Sequence, residues 1–186
     1  MKIIKIISLS LFMASIIFPI AQYEKASESE SKFIKTEDGG RLTLQTTKDY
    51  DNKATEILLT KTNKKGNEEW FKFYGGRSYD KASDLIKTQD GGYAILGSTS
   101  SYGKGNYDIY FIKVDANGKE EWSQTYGGFY NEYGVSIQQK KNGEYKLSGT
   151  RQSCYGDNDT PNCDDEKWFI TTNVRGKEIW SGVPQK

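Results

Sequence analysis

One pattern occurs three times in this chain, at a spacing of 52 residues. Asp38-Gly39-Gly40 returns as Asp90-Gly91-Gly92 and, altered, as Asn142-Gly143-Glu144. Gly66 with Trp70 returns as Gly118 with Trp122, and again as Gly176 with Trp180. A fixed period of this size marks a repeat architecture, in which each unit buries its apolar residues against its neighbours because it cannot bury them alone.

The second copy shows the unit most clearly. Leu85-Ile86-Lys87-Thr88 reads as a strand, followed by the Asp-Gly-Gly turn and a second strand, Tyr93 to Thr99. Asp-Gly between apolar runs is a hairpin signal and suggests a type I′ turn. After the loop Ser100 to Tyr107 come a third strand, Asp108 to Val114, an Asn117-Gly118 turn, and a fourth strand, Glu121 to Tyr126. Four antiparallel strands in a meander are therefore expected per copy. The third copy carries six extra residues between its second and third strands, so Phe111 corresponds to Phe169. Aromatic residues make up 13% of the chain and there are 19 Gly, which suits short strands and tight turns.

Several classes of activity are disfavoured by composition. The chain has no histidine, which removes Ser-His-Asp and Cys-His nucleophile systems and nearly all catalytic zinc sites. Its 26 basic and 25 acidic residues leave no cationic excess for nucleic acid or anionic lipid. Residues 1–21 read as a secretory signal peptide: Lys2 and Lys5 precede an uncharged apolar run, Ile6 to Ile20, with Ala21 after it. That run is short of the roughly 20 residues needed to span a bilayer, so no transmembrane segment is expected after cleavage. Residues 22–32 read as a polar tether, and 33–186 as the repeat domain, with copies at about 33–84, 85–136 and 137–186.

Tyr107 to Asp115, Asn117-Gly118, Trp122, Tyr126-Gly127-Gly128, Asp90-Gly91-Gly92-Tyr93 and Gly97-Ser98-Thr99 together resemble the bacterial β-propeller repeats of the SBBP type. The resemblance runs from Phe33 to about Gly182. It implies propeller blades in an exported protein, and it is nearly silent on function. Three blades are fewer than the four to eight of closed propellers. The alternatives are a partial propeller, a ring completed by a second copy, and a β-trefoil, which also has three four-stranded repeats. Exposed apolar faces at the ends of an open stack would predict self-association.

The longer loops share one end of the expected sheets, and such loops commonly carry function. Tyr50, Tyr102 and Tyr155 recur there, with Asp157, Asn158 and Asp159 beside the last of them. Exposed tyrosines with polar neighbours suit sugar rings; the competing reading is that each tyrosine covers its own loop. Cys154 and Cys163 are the only cysteines, and in an exported chain they predict a disulfide within the third-copy loop. Asp157, Asp159, Asp164 and Asp165 offer oxygen ligands of the kind calcium takes, but without the Gly and closing Glu of the helix-loop-helix site; a solvated acidic loop is the favoured reading. A carboxylate pair drawn from Asp84, Asp108, Glu132 or the acidic loop would be the glycosidase-like option, and turn-capping is the ordinary role of Asp84 and Asp108 at strand entries. Repeat-equivalent tryptophans read as core between blades, and Lys61 to Lys65 as charged strand ends and turns.

The sequence thus predicts a secreted or envelope-located, non-enzymatic binding or adhesion module without a cofactor. Its partner would be a glycan or an envelope protein. An assembly subunit completing a ring is the alternative, and a carboxylate-based glycosidase the third.

Overall fold

The computed structural model of the chain describes residues 23–25, 31–49, 54–155 and 162–183, and these form an all-β protein. There are three antiparallel sheets, each a meander. The first contains β1 (Tyr23–Lys25), β2 (Lys32–Lys35), β3 (Arg41–Asp49), β4 (Thr55–Thr62) and β5 (Glu68–Tyr74). β2 and β1 lie end to end along the same edge of β3, so the innermost strand of this sheet is in two pieces. The second sheet is β6 (Asp80–Lys87), β7 (Tyr93–Thr99), β8 (Asp108–Val114) and β9 (Glu120–Tyr126). The third is β10 (Glu132–Gln139), β11 (Tyr145–Tyr155), β12 (Asn162–Thr172) and β13 (Glu178–Gly182). The sheets start earlier than the repeat boundaries expected from sequence, at Asp80 and Glu132. The expected tether supplies β1 and the first residue of β2; the apolar segment 1–21 lies outside the described residues.

These are blades, and they do not close into a ring. Among the described residues, strand pairing between one sheet and the next is limited to isolated parallel bridges, Thr55 with Tyr79 and Tyr107 with Asn131. A trefoil would share a barrel between its repeats, so that alternative is set aside.

The hairpins differ in detail from the expected type I′ turns. Gly91 N–H donates to Thr88 O at 3.0 Å and Thr88 N–H to Gly92 O at 3.0 Å, with Gly91 at φ 86°. This is a turn followed by a single left-handed glycine, the three-residue hairpin. The same pattern closes Asp115 to Lys119 and Asn173 to Lys177.

The core lies between blades, because strand alternation sends successive side chains to opposite faces. From blade 1, Leu42, Leu44, Ile57 and Leu59 meet Tyr93, Ile95, Ile112 and Val114 of blade 2. From the other face of blade 2, Ala94, Leu96, Ile109 and Phe111 meet Tyr145, Leu147, Trp168 and Ile170 of blade 3. Both faces of β7 and β8 are therefore buried, which explains why their apolar runs are nearly continuous. Gly97 opens a notch at this contact: a Cβ there would stand 2.8 Å from Ile57 Cδ1 and 2.3 Å from Lys81 O.

Tryptophan and tyrosine from each outer strand lock onto the next blade. A Cβ on Gly118 would lie 2.7 Å from the Trp70 ring, and one on Gly176 2.5 Å from the Trp122 ring. Tyr74 donates its hydroxyl hydrogen to Gly118 O at 2.6 Å, and Tyr126 does the same to Gly176 O. The expected inter-blade role of the tryptophans holds for Trp70 and Trp122. Trp180 packs against no further blade among the described residues and is 52% exposed.

The two end faces are more polar than the inner ones but keep large apolar side chains, Phe33, Phe71 and Phe73 on blade 1 and Phe169 and Trp180 on blade 3. On blade 1, Arg41, Thr43, Thr60 and Thr62 stand where blade 2 has Tyr93, Ile95, Ile112 and Val114, and Gln45 fills the notch that Gly97 leaves open. On blade 3, Lys146, Ser148 and Lys167 replace Ala94, Leu96 and Ile109. Phe169 lies there under the Lys146 ammonium at 5.2 Å, and Phe33 on blade 1 under the Arg41 guanidinium at 4.2 Å. Phe33 and Trp180 nevertheless stay 52% exposed each on the end faces, the kind of apolar surface from which self-association was expected.

Two lysines are buried, and one of them, Lys61, belongs to the stretch read as charged strand ends and turns. Lys113 is 3% exposed; its ammonium bonds Asp90 at 2.8 Å, Glu121 at 2.7 Å and Val114 O at 3.2 Å. Lys61 repeats the arrangement with Asp38 and Glu69, each at 2.6 Å. The second glycine of the Asp-Gly-Gly turn makes this geometry accessible, since a Cβ on Gly92 would stand 2.7 Å from the Lys113 ammonium. In the third copy all three members are replaced together, by Asn142, Thr171 and Ile179.

Candidate functional site

Blades splay apart toward their outer strands, and between blades 1 and 2 this leaves a groove of about 510 Å³. One wall comes from the end of β5, Tyr74 and Gly75, and the other from Tyr102, Tyr110, Glu120, Ser123 and Gln124 of blade 2. Tyr102 enters from the β7–β8 loop, whose chain turns back through Gly103 and Gly105, both at positive φ. Its hydroxyl donates to Gly75 O at 2.8 Å, and its ring lies 5.6 Å from that of Tyr110. Tyr102 thus ties its loop to the β5–β6 connection rather than covering that loop alone, and stays 47% exposed at the groove. Tyr110 is buried, which pushes its phenol up to about 12, while a bond with Ser123 acts the other way. Both phenols stay neutral and donor-competent near neutral pH.

The groove runs along the junction instead of sitting at the loop end alone, because Glu120 lies beside the Asn117-Gly118 turn. Glu120, Ser123 and Gln124 were not singled out from sequence. Glu120 and Ser123 do return as Glu178 and Ser181 in the third copy, a correspondence visible once the six-residue insertion is allowed for.

The remaining candidates are dispersed. Tyr50, Asp157, Asn158 and Asp159 lie outside the described residues. Cys154 and Cys163 form the expected disulfide, with Cα atoms 4.1 Å apart. The expected third-copy loop is largely strand, however, and the two cysteines face each other directly across β11 and β12. Tyr155, 55% exposed in the same extension, donates its hydroxyl to Asp164. Asp164 and Asp165 are consecutive in β12 and so project from opposite faces of the strand, an arrangement that keeps them from one shared ion. Among the described residues no group of three or more acidic, Cys or His side chains is placed to hold a metal.

Asp108 and Glu132 do converge, at the junction of blades 2 and 3. A Cβ on Gly127 would stand 2.2 Å from Asp108 Oδ1 and 2.3 Å from Glu132 Oε2. Both residues are 2% exposed. Asp108 Oδ2 accepts from Lys104 N–H and Glu132 Oε2 from Gly128 N–H, each at 2.8 Å, so both close turns of their own chain. Burial raises both carboxyls above their ordinary values, opposed by those backbone bonds, and the Asp108 charge raises Glu132 further. Asp84 is separate: it accepts from Leu85 N–H and from Ile137 N–H of the next blade, both at 3.0 Å.

The sequence matches no model of a known protein family and no curated protein. Among the described residues no helix is long and apolar enough to cross a membrane.

Proposed function

We propose that this is an exported, non-enzymatic binding module whose ligand is an uncharged glycan held in the groove between blades 1 and 2. The observation that carries the reading is the composition of that groove. An exposed tyrosine ring, fixed by its own hydroxyl bond, stands beside the Ser123 hydroxyl, the Gln124 amide and the Glu120 carboxylate. Sugar rings present an apolar face and a rim of hydroxyls, and a site with few, well-placed polar groups beside an aromatic face is matched to both. Prior fixation of Tyr102 also lowers the ordering cost of binding. Export is supported by the signal-like segment 1–21 and by the disulfide, a bond characteristic of oxidising compartments. The resemblance to SBBP-type blades fits the same picture.

Catalysis is not favoured, because the two acids that converge are enclosed at 2% exposure and spend an oxygen each on a backbone turn. A glycan array probed with wild-type protein, Tyr102→Ala and Ser123→Ala tests the proposal. Binding of neutral glycans that falls at least tenfold in both variants is expected. No glycan retained by the wild type, or retention unchanged in both folded variants, would refute it.

A further inference from the structure

The lock between blades leaves one part unused at each end of the molecule. Three equivalent turns hold Gly66, Gly118 and Gly176 at φ 83°, 75° and 75°, each two residues before an outer strand. Gly118 receives the ring of Trp70, and Gly176 that of Trp122. Gly66, the first of the series, has no atom beyond its chain neighbours within 4 Å of where its Cβ would stand. It lines a cleft of about 640 Å³ on blade 1, together with Lys35, Arg41, Thr43, Thr62 and Lys64. Trp180, the last tryptophan of the series, is 52% exposed. Blade 1 thus carries a vacant socket and blade 3 an unseated tryptophan.

The faces around these two parts have the matching sense. Phe33, Thr43, Thr60 and Phe71 form one cross-strand row on the open side of blade 1. In blade 2 the corresponding row, Leu85, Ile95, Ile112 and Ser123, is on the face that blade 1 covers. On the open side of blade 3, Trp180 pairs with Thr171 two residues from Phe169, so the two rings share a face. That face corresponds to the one blade 2 turns toward blade 3. Blade 3 of one copy therefore faces blade 1 of another as each blade faces the next. The seam is weaker than the internal ones, because Thr43, Thr60 and Ser148 replace Ile95, Ile112 and Leu96, and Pro184 aligns with Tyr126. Cations also stand on both sides of it, Lys35 and Arg41 against Lys146 and Lys167, and like charges oppose docking.

We propose that Trp180 of one copy seats over Gly66 of a second copy, and the reverse, so that two three-bladed chains close a six-bladed ring. The occupant is this chain itself, since the same socket takes a tryptophan twice within it. Six blades fall within the four to eight of closed propellers. The inference does not depend on the glycan reading of the first groove.

The test is sedimentation velocity of the exported chain between about 1 and 100 μM. Two variants accompany it: Trp180→Ala, which removes the knob, and Gly66→Asn, which fills the socket with a residue that tolerates positive φ. The wild type is expected to pass from the monomer to the dimer value, with association weakened about tenfold or more in each variant. An equimolar mixture of the variants restores one intact contact, and is expected to form dimer at a concentration where neither variant does alone. Raising NaCl from about 50 to about 500 mM is expected to tighten the wild-type dimer by screening the like charges. A constant sedimentation coefficient in the wild type overturns the inference, as does undiminished association in either variant or a mixture no better than its components. Growth past the dimer would overturn the closed ring.

Discussion

Lys113 offers the sharpest check on how these blades are held. Its ammonium is almost fully enclosed, whereas the Asp90 and Glu121 side chains that meet it are 58% and 46% exposed. Removing one partner from a fully buried ion pair costs about 3–5 kcal/mol, because the other charge is stranded. Here both stranded carboxylates can turn to water, so the cost falls below that range. Lys113→Met, which keeps the apolar stem, is expected to destabilise by about 2 kcal/mol, the net loss of charge-assisted bonds. For a chain of this size that corresponds to a fall in Tm of roughly 4–8 °C. The third copy supplies the control. Asp90→Asn, Lys113→Thr and Glu121→Ile combined reproduce what blade 3 already carries, and the triple variant is expected within about 1 kcal/mol of wild type. Urea unfolding at pH 7 measures both. A second signature is acid sensitivity. Burial raises the Asp90 carboxyl, but bonds from Lys113, Thr88 and Gly92 N–H outweigh it and hold the group at about 2. Its folded value is depressed, so its contribution is present above the ordinary carboxylate range and lost as pH falls toward 2. Lys113→Met should flatten that loss. The reasoning fails if Lys113→Met is neutral, or if the triple variant is as unstable as the sum of its single substitutions.

Trp122→Ala, which empties the lock onto Gly176, is expected to cost about 3–5 kcal/mol by chemical unfolding, and Trp180→Ala less than about 0.5 kcal/mol; equal effects would refute the inter-blade assignment. Asp108 and Glu132 have folded values raised above their unfolded ones, so their contribution is present below the ordinary carboxylate range and is lost as pH rises through the folded values. Between pH 5 and 8, thermal scans of Glu132→Gln should therefore show a smaller decline in Tm than wild type, and an equal decline would count against a coupled pair. With Phe33 and Trp180 each 52% exposed on an end face, the sedimentation coefficient is expected to rise with concentration between 1 and 100 μM, and a constant value would remove self-association.

The period of 52 residues made the sheets, their meander and the location of the tight turns readable before any coordinates. The cross-strand cysteines were readable as a pair, though not as a bridge between strands. What escaped was anything depending on which neighbour a residue faces. Lys113 sits in an apolar run, Ile109 to Val114, and lysine is so rarely buried that the surface is the natural assignment. Only its joint replacement with Asp90 and Glu121 in the third copy signals a unit. The altered end faces were hidden for the same reason. Thr43 or Lys146 looks like ordinary strand polarity until it is aligned with Ile95 or Ala94 and the absent neighbour is recognised. The groove joins residues from β5, the β7–β8 loop and β9, a convergence set by splay between blades and not by local spacing.

Among the described residues only the middle blade is packed on both faces, and this makes it the interchangeable part of the molecule. Blade 2 presents on one side what it accepts on the other. Residues 80–131 could thus be inserted in tandem, each new copy meeting its predecessor through the Trp122, Tyr126 and Gly118 contact already in use. Stack length, and with it the number of grooves, is then set by gene duplication of a single segment while the two ends stay fixed.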